Sequence, residues 1–147
     1  MYESIVVGTD GSSTAQRAVA EATRLSKALG SALHVVAAYE PVRGVRVEGS
    51  PEGAGTGVHV LPDSEVRTIV DAAAATVRMS GVDAKSHALT GDPAGALIAV
   101  AEQENAGLIV VGSCGMHGMK RVLGSVPNKV AHRARCNVMI VATEGAA

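Results

Sequence analysis

The order of apolar and polar positions changes period several times along the chain, and each change predicts an element. Ile5, Val6 and Val7 form a short β-branched run closed by Gly8, as in a buried parallel strand. Ala15, Ala18, Val19, Ala22, Leu25 and Leu29 then recur at helical spacing, with Ser13-Thr14-Ala15-Gln16 as a capping box and Gly30 as the stop. Leu33 to Tyr39 is a second buried strand, with His34 read as lying near its entrance rather than as a ligand.

Between Glu40 and Pro62 the periodicity disappears, and Gly44, Gly49, Gly53, Gly55 and Gly57 crowd the segment. A flexible excursion is expected over about 40–62. Asp63 or Ser64 is expected to cap the next helix, whose inner stripe is Val66, Ile69, Val70, Ala73, Ala74 and Val77, with Gly81 ending it. Val82 to Leu89 alternates apolar positions with Asp83, Lys85 and His87, the pattern of a half-exposed edge strand. Asp92-Pro93 supplies an N-cap and a first-turn proline for a helix carrying Ala94, Leu97, Ile98 and Ala101 on one face. Leu108 to Val111 is the most apolar strand, Ser125-Val126-Pro127 opens a last helix through about Arg135, and Val138 to Val141 is a fifth strand. Strict alternation of buried strands and helices predicts an α/β fold: one open, doubly wound, parallel five-stranded sheet of Rossmann-like type with helices on both faces.

Composition narrows this further. The 147 residues fit one domain, taken as 1–147, and hold no Phe or Trp, so the core must be aliphatic. Without aromatic platforms, single-stranded nucleic acid is a poor partner. No apolar run nears the ~18 residues that cross a bilayer, and no leader-like segment opens the sequence, so a cytoplasmic protein with no membrane partner is expected. Cys114 and Cys136 show no metal or disulfide spacing. The net charge is −1, yet no Asp or Glu occurs from Asn105 through Thr143, where Lys120, Arg121, Lys129, Arg133 and Arg135 lie. Such a local positive field fits either a small anionic ligand or a solvated basic face.

In doubly wound sheets, ligands bind beyond the carboxyl ends of the strands, where the strand order reverses. The loops to inspect are therefore Gly8 to Ser12 and Gly112 to Asn128. In the second, Gly112, Gly115, Gly118 and Gly124 let main-chain N–H groups approach a ligand, and Gly124-Ser125-Val126 lies at a helix N-terminus, which favours an anion such as phosphate. Neither GxxxxGK(S/T) nor a GxGxxG after the first strand is present, which excludes a P-loop and a dinucleotide fingerprint.

The opening IVVGTDGS, the middle GDPAGALI, the late LIVVGSCG and the closing LGSVPNKVAHRARCNVMIV resemble the universal stress protein family over essentially the whole chain. Its nucleotide-binding members carry a G-x2-G-x9-G-(S/T) loop. Gly112, Gly115, Gly124 and Ser125 match it with eight residues in the long gap instead of nine. The resemblance implies strand order 3-2-1-4-5 and ATP as ligand, with cyclic AMP or AMP as rivals. Thr9 and Asp10 would lie near ribose and phosphates, Asp10 also facing a metal indirectly through nucleotide-bound Mg. Val36, Ala37 and Ala38 would meet adenine through their backbone. Gly112, Gly115, Met116 and His117 would line the ribose and phosphates, and Gly124, Ser125 and Val126 would hold the phosphate chain. It also implies homodimerisation through the last strand, Val138-Met139-Ile140-Val141, an apolar edge that would otherwise be open.

Catalytic groups are scarce. GxSxG is absent, Cys114 and His117 have no third group to orient them, and Asp10 is the one acid placed near the phosphates. The expected role is a regulatory nucleotide binder acting in stress response, with at most weak ATP hydrolysis or self-phosphorylation. The alternatives are a cyclic AMP binder, a nucleotide-free interaction module of the same fold, and a slow ATPase.

Overall fold

The computed structural model describes residues 2–39, 63–113 and 125–143. The 40–62 excursion, most of the glycine loop and the last four residues lie outside these. The elements run β1 (Ser4–Gly8), α1 (Ser13–Leu29), β2 (Ala32–Tyr39), α2 (Asp63–Met79), β3 (Ala84–Thr90), α3 (Pro93–Gln103), β4 (Leu108–Gly112), α4 (Ser125–Arg133) and β5 (Asn137–Val141). All five strands are parallel, in the order β3-β2-β1-β4-β5.

The β-branched and leucine-rich strands are buried on both faces, so each face needs its own layer of helices. Ala18, Val19 and Ala22 of α1 and Val66, Val70, Ala74 and Val77 of α2 cover Ile5, Val7, Leu33, Val35 and Val110. On the other face Ala94, Leu97, Val100 and Ala101 of α3 and Val130 of α4 cover Val6, Val36, Ile109 and Val111. Right-handed crossovers account for this split: the first two connections step one way from β1, and the third returns past it to β4. The reversal between β1 and β4 fixes the switch point.

Some local expectations shift. Ser12, not Ser13, caps α1, its hydroxyl accepting from the N–H of Ala15 at 3.1 Å. Asp63 and Ser64 both lie inside the first turn of α2 rather than at its cap. α4 ends at Arg133, two residues before the expected Arg135. Gly30 ends α1 in the left-handed conformation, φ 71°, and Asp92 caps α3 by accepting from Gly95 N–H, both as the sequence indicates. β3 and β5 are the edges. No helix among the described residues is long and apolar enough to cross a membrane.

Candidate functional site

At the carboxyl ends of β1, β2 and β4 the backbone is shaped by short local bonds. Thr9 N–H donates to Val36 C=O at 2.9 Å, which carries the β1–β2 pairing one residue past Gly8. Parallel strands direct the amide groups of alternate residues to opposite neighbours. Val36 C=O faces β1, and Tyr39 C=O faces the other way, accepting from Gly91 N–H at 2.9 Å. The N–H and C=O of Ala38 therefore point to the β1 side, beyond the end of the Ser4–Gly8 pairing register. Of the three residues expected to meet adenine, Val36 has its carbonyl committed to Thr9, Ala37 faces β3, and Ala38 presents its backbone to the switch point.

The loop that follows is a stack of side-chain turns. Thr9 Oγ1 accepts from Gly11 N–H at 3.1 Å, and Asp10 Oδ1 accepts from Ser12 N–H at 2.9 Å. Asp10 thus fulfils its turn role while its exposed carboxylate stays at the surface of the site. Gly11 has φ 85°, and a Cβ there would approach Ile69 Cγ2 to 3.2 Å. Gly8 and Gly112 give close approach of a different kind: an added Cβ would meet Leu97 Cδ1 at 3.2 Å and Thr143 Cγ2 at 3.0 Å.

Ser113 and Thr143, which no sequence pattern singles out, close the β4–β5 end. Ser113 N–H donates to Val141 C=O at 2.8 Å, Thr143 N–H donates to Ser113 Oγ at 3.2 Å, and Thr143 is buried. α4 runs back along the sheet from its N-terminus, with Ser125 exposed and Val126 packed on the core, so its first-turn N–H groups lie at the same end as Gly112. Gly115, Met116, His117 and Gly124 fall outside the described residues.

The basic stretch is not unopposed. Lys129 Nζ and Arg133 Nη1 lie 3.9 and 4.0 Å from Asp92 Oδ2, an acid from outside the stretch. Both pairs are exposed enough to contribute little to stability. Their consequence is local: two of the five cations face the α3 cap. His132 and Arg135 are exposed.

A second convergence lies toward the amino ends of the strands. His34, the third residue of β2, lies near the entrance of the strand as expected, and it is 3% exposed. Its Nδ1 lies 2.9 Å from His87 Nε2, and its Nε2 lies 3.9 Å from Glu104 Oε1. Burial pushes both imidazoles below the ordinary histidine value. For His34, Glu104 and Asp83 oppose that shift and Lys85 adds to it; for His87, the charges of His34 and Lys85 add to it and Glu104 opposes. The two histidines stand 53 positions apart, so no local spacing announces them; only the β2–β3 register does.

A model of the Universal stress protein family matches residues 1–142. Universal stress protein Rv1636 of Mycobacterium tuberculosis H37Rv is 33% identical over 147 aligned positions, covering 97% of this chain and 97% of its own. Universal stress protein MJ0531 of Methanocaldococcus jannaschii is 30% identical, covering 96% and 82%. Among solved structures, a universal stress protein in complex with cAMP matches with a TM-score of 0.74 at 31% identity, over 97% of this chain and 98% of the other. The Archaeoglobus fulgidus universal stress protein in complex with dAMP shares the fold, with a TM-score of 0.68 at 22% identity, over 95% and 97%.

Proposed function

The chain belongs to the universal stress protein family, and from that premise we propose that it is a regulatory adenine-nucleotide binder whose ligand, ATP in the first place, lies across the switch point between β1 and β4. The observation that carries this reading is the convergence there of three kinds of backbone group. Ala38 offers an N–H and C=O past the end of β1, the backbones of Gly8 and Gly112 end β1 and β4 there, their missing Cβ atoms making room for Leu97 and Thr143, and α4 brings the N–H groups of its first turn to the same end. Adenine would pair with Ala38, beside Val36 and Ala37. Ribose and phosphates would pass over Gly112 and the Thr9-Asp10 loop to Ser125 and Val126, with Gly115, Met116, His117 and Gly124 completing the enclosure.

Asp10 fits a carboxylate that faces nucleotide-borne Mg: it is exposed, and the Ser12 N–H holds one of its oxygens in place. Magnesium prefers oxygen ligands and keeps part of its water shell, so one carboxylate beside the phosphates suffices. Turnover asks for more than this. Phosphoryl transfer requires a positioned nucleophile and several groups on the transferring phosphoryl, and among the described residues Asp10 is the acid that the loop holds at this site. Occupancy, not hydrolysis, is then the signal.

Cyclic AMP is the second reading, favoured by the cAMP complex of a relative 31% identical to this chain. Its single phosphate would use Ser125 and leave the rest of the anion site without a partner.

Calorimetric titration with ATP, then with cAMP in competition, tests both. Saturable ATP binding is expected, weakened about tenfold by Ser125→Ala through loss of a hydrogen bond to a charged group. Absence of heat from either nucleotide at millimolar concentration would overturn the proposal, and tighter binding of cAMP would reverse the order of the two ligands.

We further propose a homodimer through β5. It is an edge strand whose Ile140 is 36% exposed while Val138 packs on the α3–α4 face and Met139 and Val141 on the other. An uncovered apolar edge is a template for pairing with a second copy.

A further inference from the structure

Three elements bring metal-ligating side chains together at the end of the sheet opposite the nucleotide site. His34 comes from β2, His87 from the neighbouring edge strand β3, and Glu104 from the C-terminus of α3. In the β2–β3 register Val36 is opposite His87, so His34 and His87 are diagonal neighbours on the face that α3 covers. Their ring centroids are 5.1 Å apart and the rings are tilted by 39°. One ligand atom from each of His34, His87 and Glu104 lies within 4.8 Å of the other two.

Glu104 is held in place by the way α3 ends. Asn105 takes the left-handed conformation at φ 55°, Ala106 N–H donates to Ala101 C=O at 2.8 Å, and Asn105 N–H reaches Glu102 C=O at 3.4 Å. This is a Schellman stop with asparagine in the glycine position, and it leaves Glu104 as the capping residue. The cluster therefore sits at the carbonyl end of a helix, where the macrodipole favours positive charge.

We propose that His34, His87 and Glu104 form a binding site for a first-row divalent transition cation of the Zn2+ class. The donor set is two imidazoles and one carboxylate, which suits zinc and its neighbours and not calcium or magnesium, whose preferred ligands are oxygens. Zinc–nitrogen bonds of about 2.0–2.1 Å in tetrahedral geometry set two ligand nitrogens roughly 3.3 Å apart. His34 Nδ1 and His87 Nε2 are 2.9 Å apart, so the cation takes the place of the proton shared between them, which moves to the other nitrogen of its own ring, after an opening of a few tenths of an ångström. The Glu104 carboxylate, 31% exposed, has the freedom to swing from its place beside His34 Nε2 and close the third position. His34 is buried, while His87 and Glu104 are half-buried, so the fourth position opens toward water along the β3 edge. Lys85 opposes a cation here, and Asp83 and Glu104 offset it. The site shares no residue with the nucleotide cleft and does not depend on that reading.

The test uses the full chain after treatment with a chelator, titrated with Co2+ and followed through the visible d–d bands of a four-coordinate centre, then back-titrated with Zn2+. One equivalent of Co2+ should bind and be displaced by Zn2+, while Ca2+ and Mg2+ compete for nothing. His87→Gln and Glu104→Gln, each checked for native circular dichroism, should weaken binding at least tenfold. A variant carrying His59→Gln, His117→Gln and His132→Gln together should bind as the unaltered chain does. Binding undiminished in both His87→Gln and Glu104→Gln, or lost in the triple variant, would overturn the assignment, as would the absence of any saturable Co2+ spectrum.

Discussion

Gly11 shows how much a single position can determine. Its φ of 85° lets the Thr9-Asp10 turn feed α1, and any Cβ there would press on Ile69 of α2. Gly11→Ala should destabilise the chain by about 1–2 kcal/mol, the usual cost of a left-handed L-residue, read as a lower urea midpoint at unchanged slope. Cys136 gives a second test at this scale. Burial pushes its thiol up, a backbone hydrogen bond opposes that shift, and Glu102 adds to it. Because the folded chain keeps the proton longer than the unfolded one, stability holds below the ordinary thiol range and falls as pH rises through it. Alkylation by iodoacetamide should accordingly be slower than for a free thiol at the same pH. Sequence reading reached Gly30 and Asp92 because caps have local signatures, but it put the α1 cap at Ser13 when Ser12 holds it. It placed His34 near the entrance of β2 but not its partners, since these are on another strand and at a helix end seventy positions further on.

Elements differ in how firmly the rest of the fold holds them. α4 has nine residues, too few to persist as an isolated helix, and it is anchored by Pro127 and Val130. Val130 is fully buried against the α3 face, and Val130→Ala should cost about 2 kcal/mol through lost burial and the cavity left behind. If the N-terminus of α4 holds phosphate, the same change should weaken ATP binding in calorimetry; an unchanged affinity would remove α4 from the site. The edge strand β5 carries the dimer proposal. Ile140→Lys should convert a dimer to a monomer in sedimentation velocity while leaving the circular dichroism native, and a chain that sediments as a monomer without the substitution would refute the proposal. The presence of β5 was legible from its apolar run. What covers it was not, because the sequence of one copy does not record the surface of a second.

For the molecule as a whole, topology was the most legible feature, and there is a physical reason. Once strands such as Leu108–Gly112 are recognised as buried on both faces, helices must cover both sides through right-handed crossovers, while the order 3-2-1-4-5 itself was legible only through the resemblance to the family. That order places ligand chemistry at both ends of the sheet: backbone groups and a helix N-terminus at one, imidazoles and a helix C-terminus at the other. Ligands that bind only the folded chain stabilise it by mass action, so ATP at a hundred times its dissociation constant should add about 2.7 kcal/mol. For a chain of this size that corresponds to a rise of roughly 5–10 °C in Tm. Zn2+ should raise Tm by its own increment in the metal-free protein. Because the two sites share no side chain, the free energies with both ligands present should add to within about 0.5 kcal/mol. The helix α3 offers a direct route between them beside β2, which carries both His34 and Ala38, with Asp92 at the start of α3 near the anion end and Glu104 at its finish. A combined stabilisation that departs from the sum, and returns to it in Glu104→Gln, would mean that α3 shifts as a rigid body and that the metal regulates nucleotide binding.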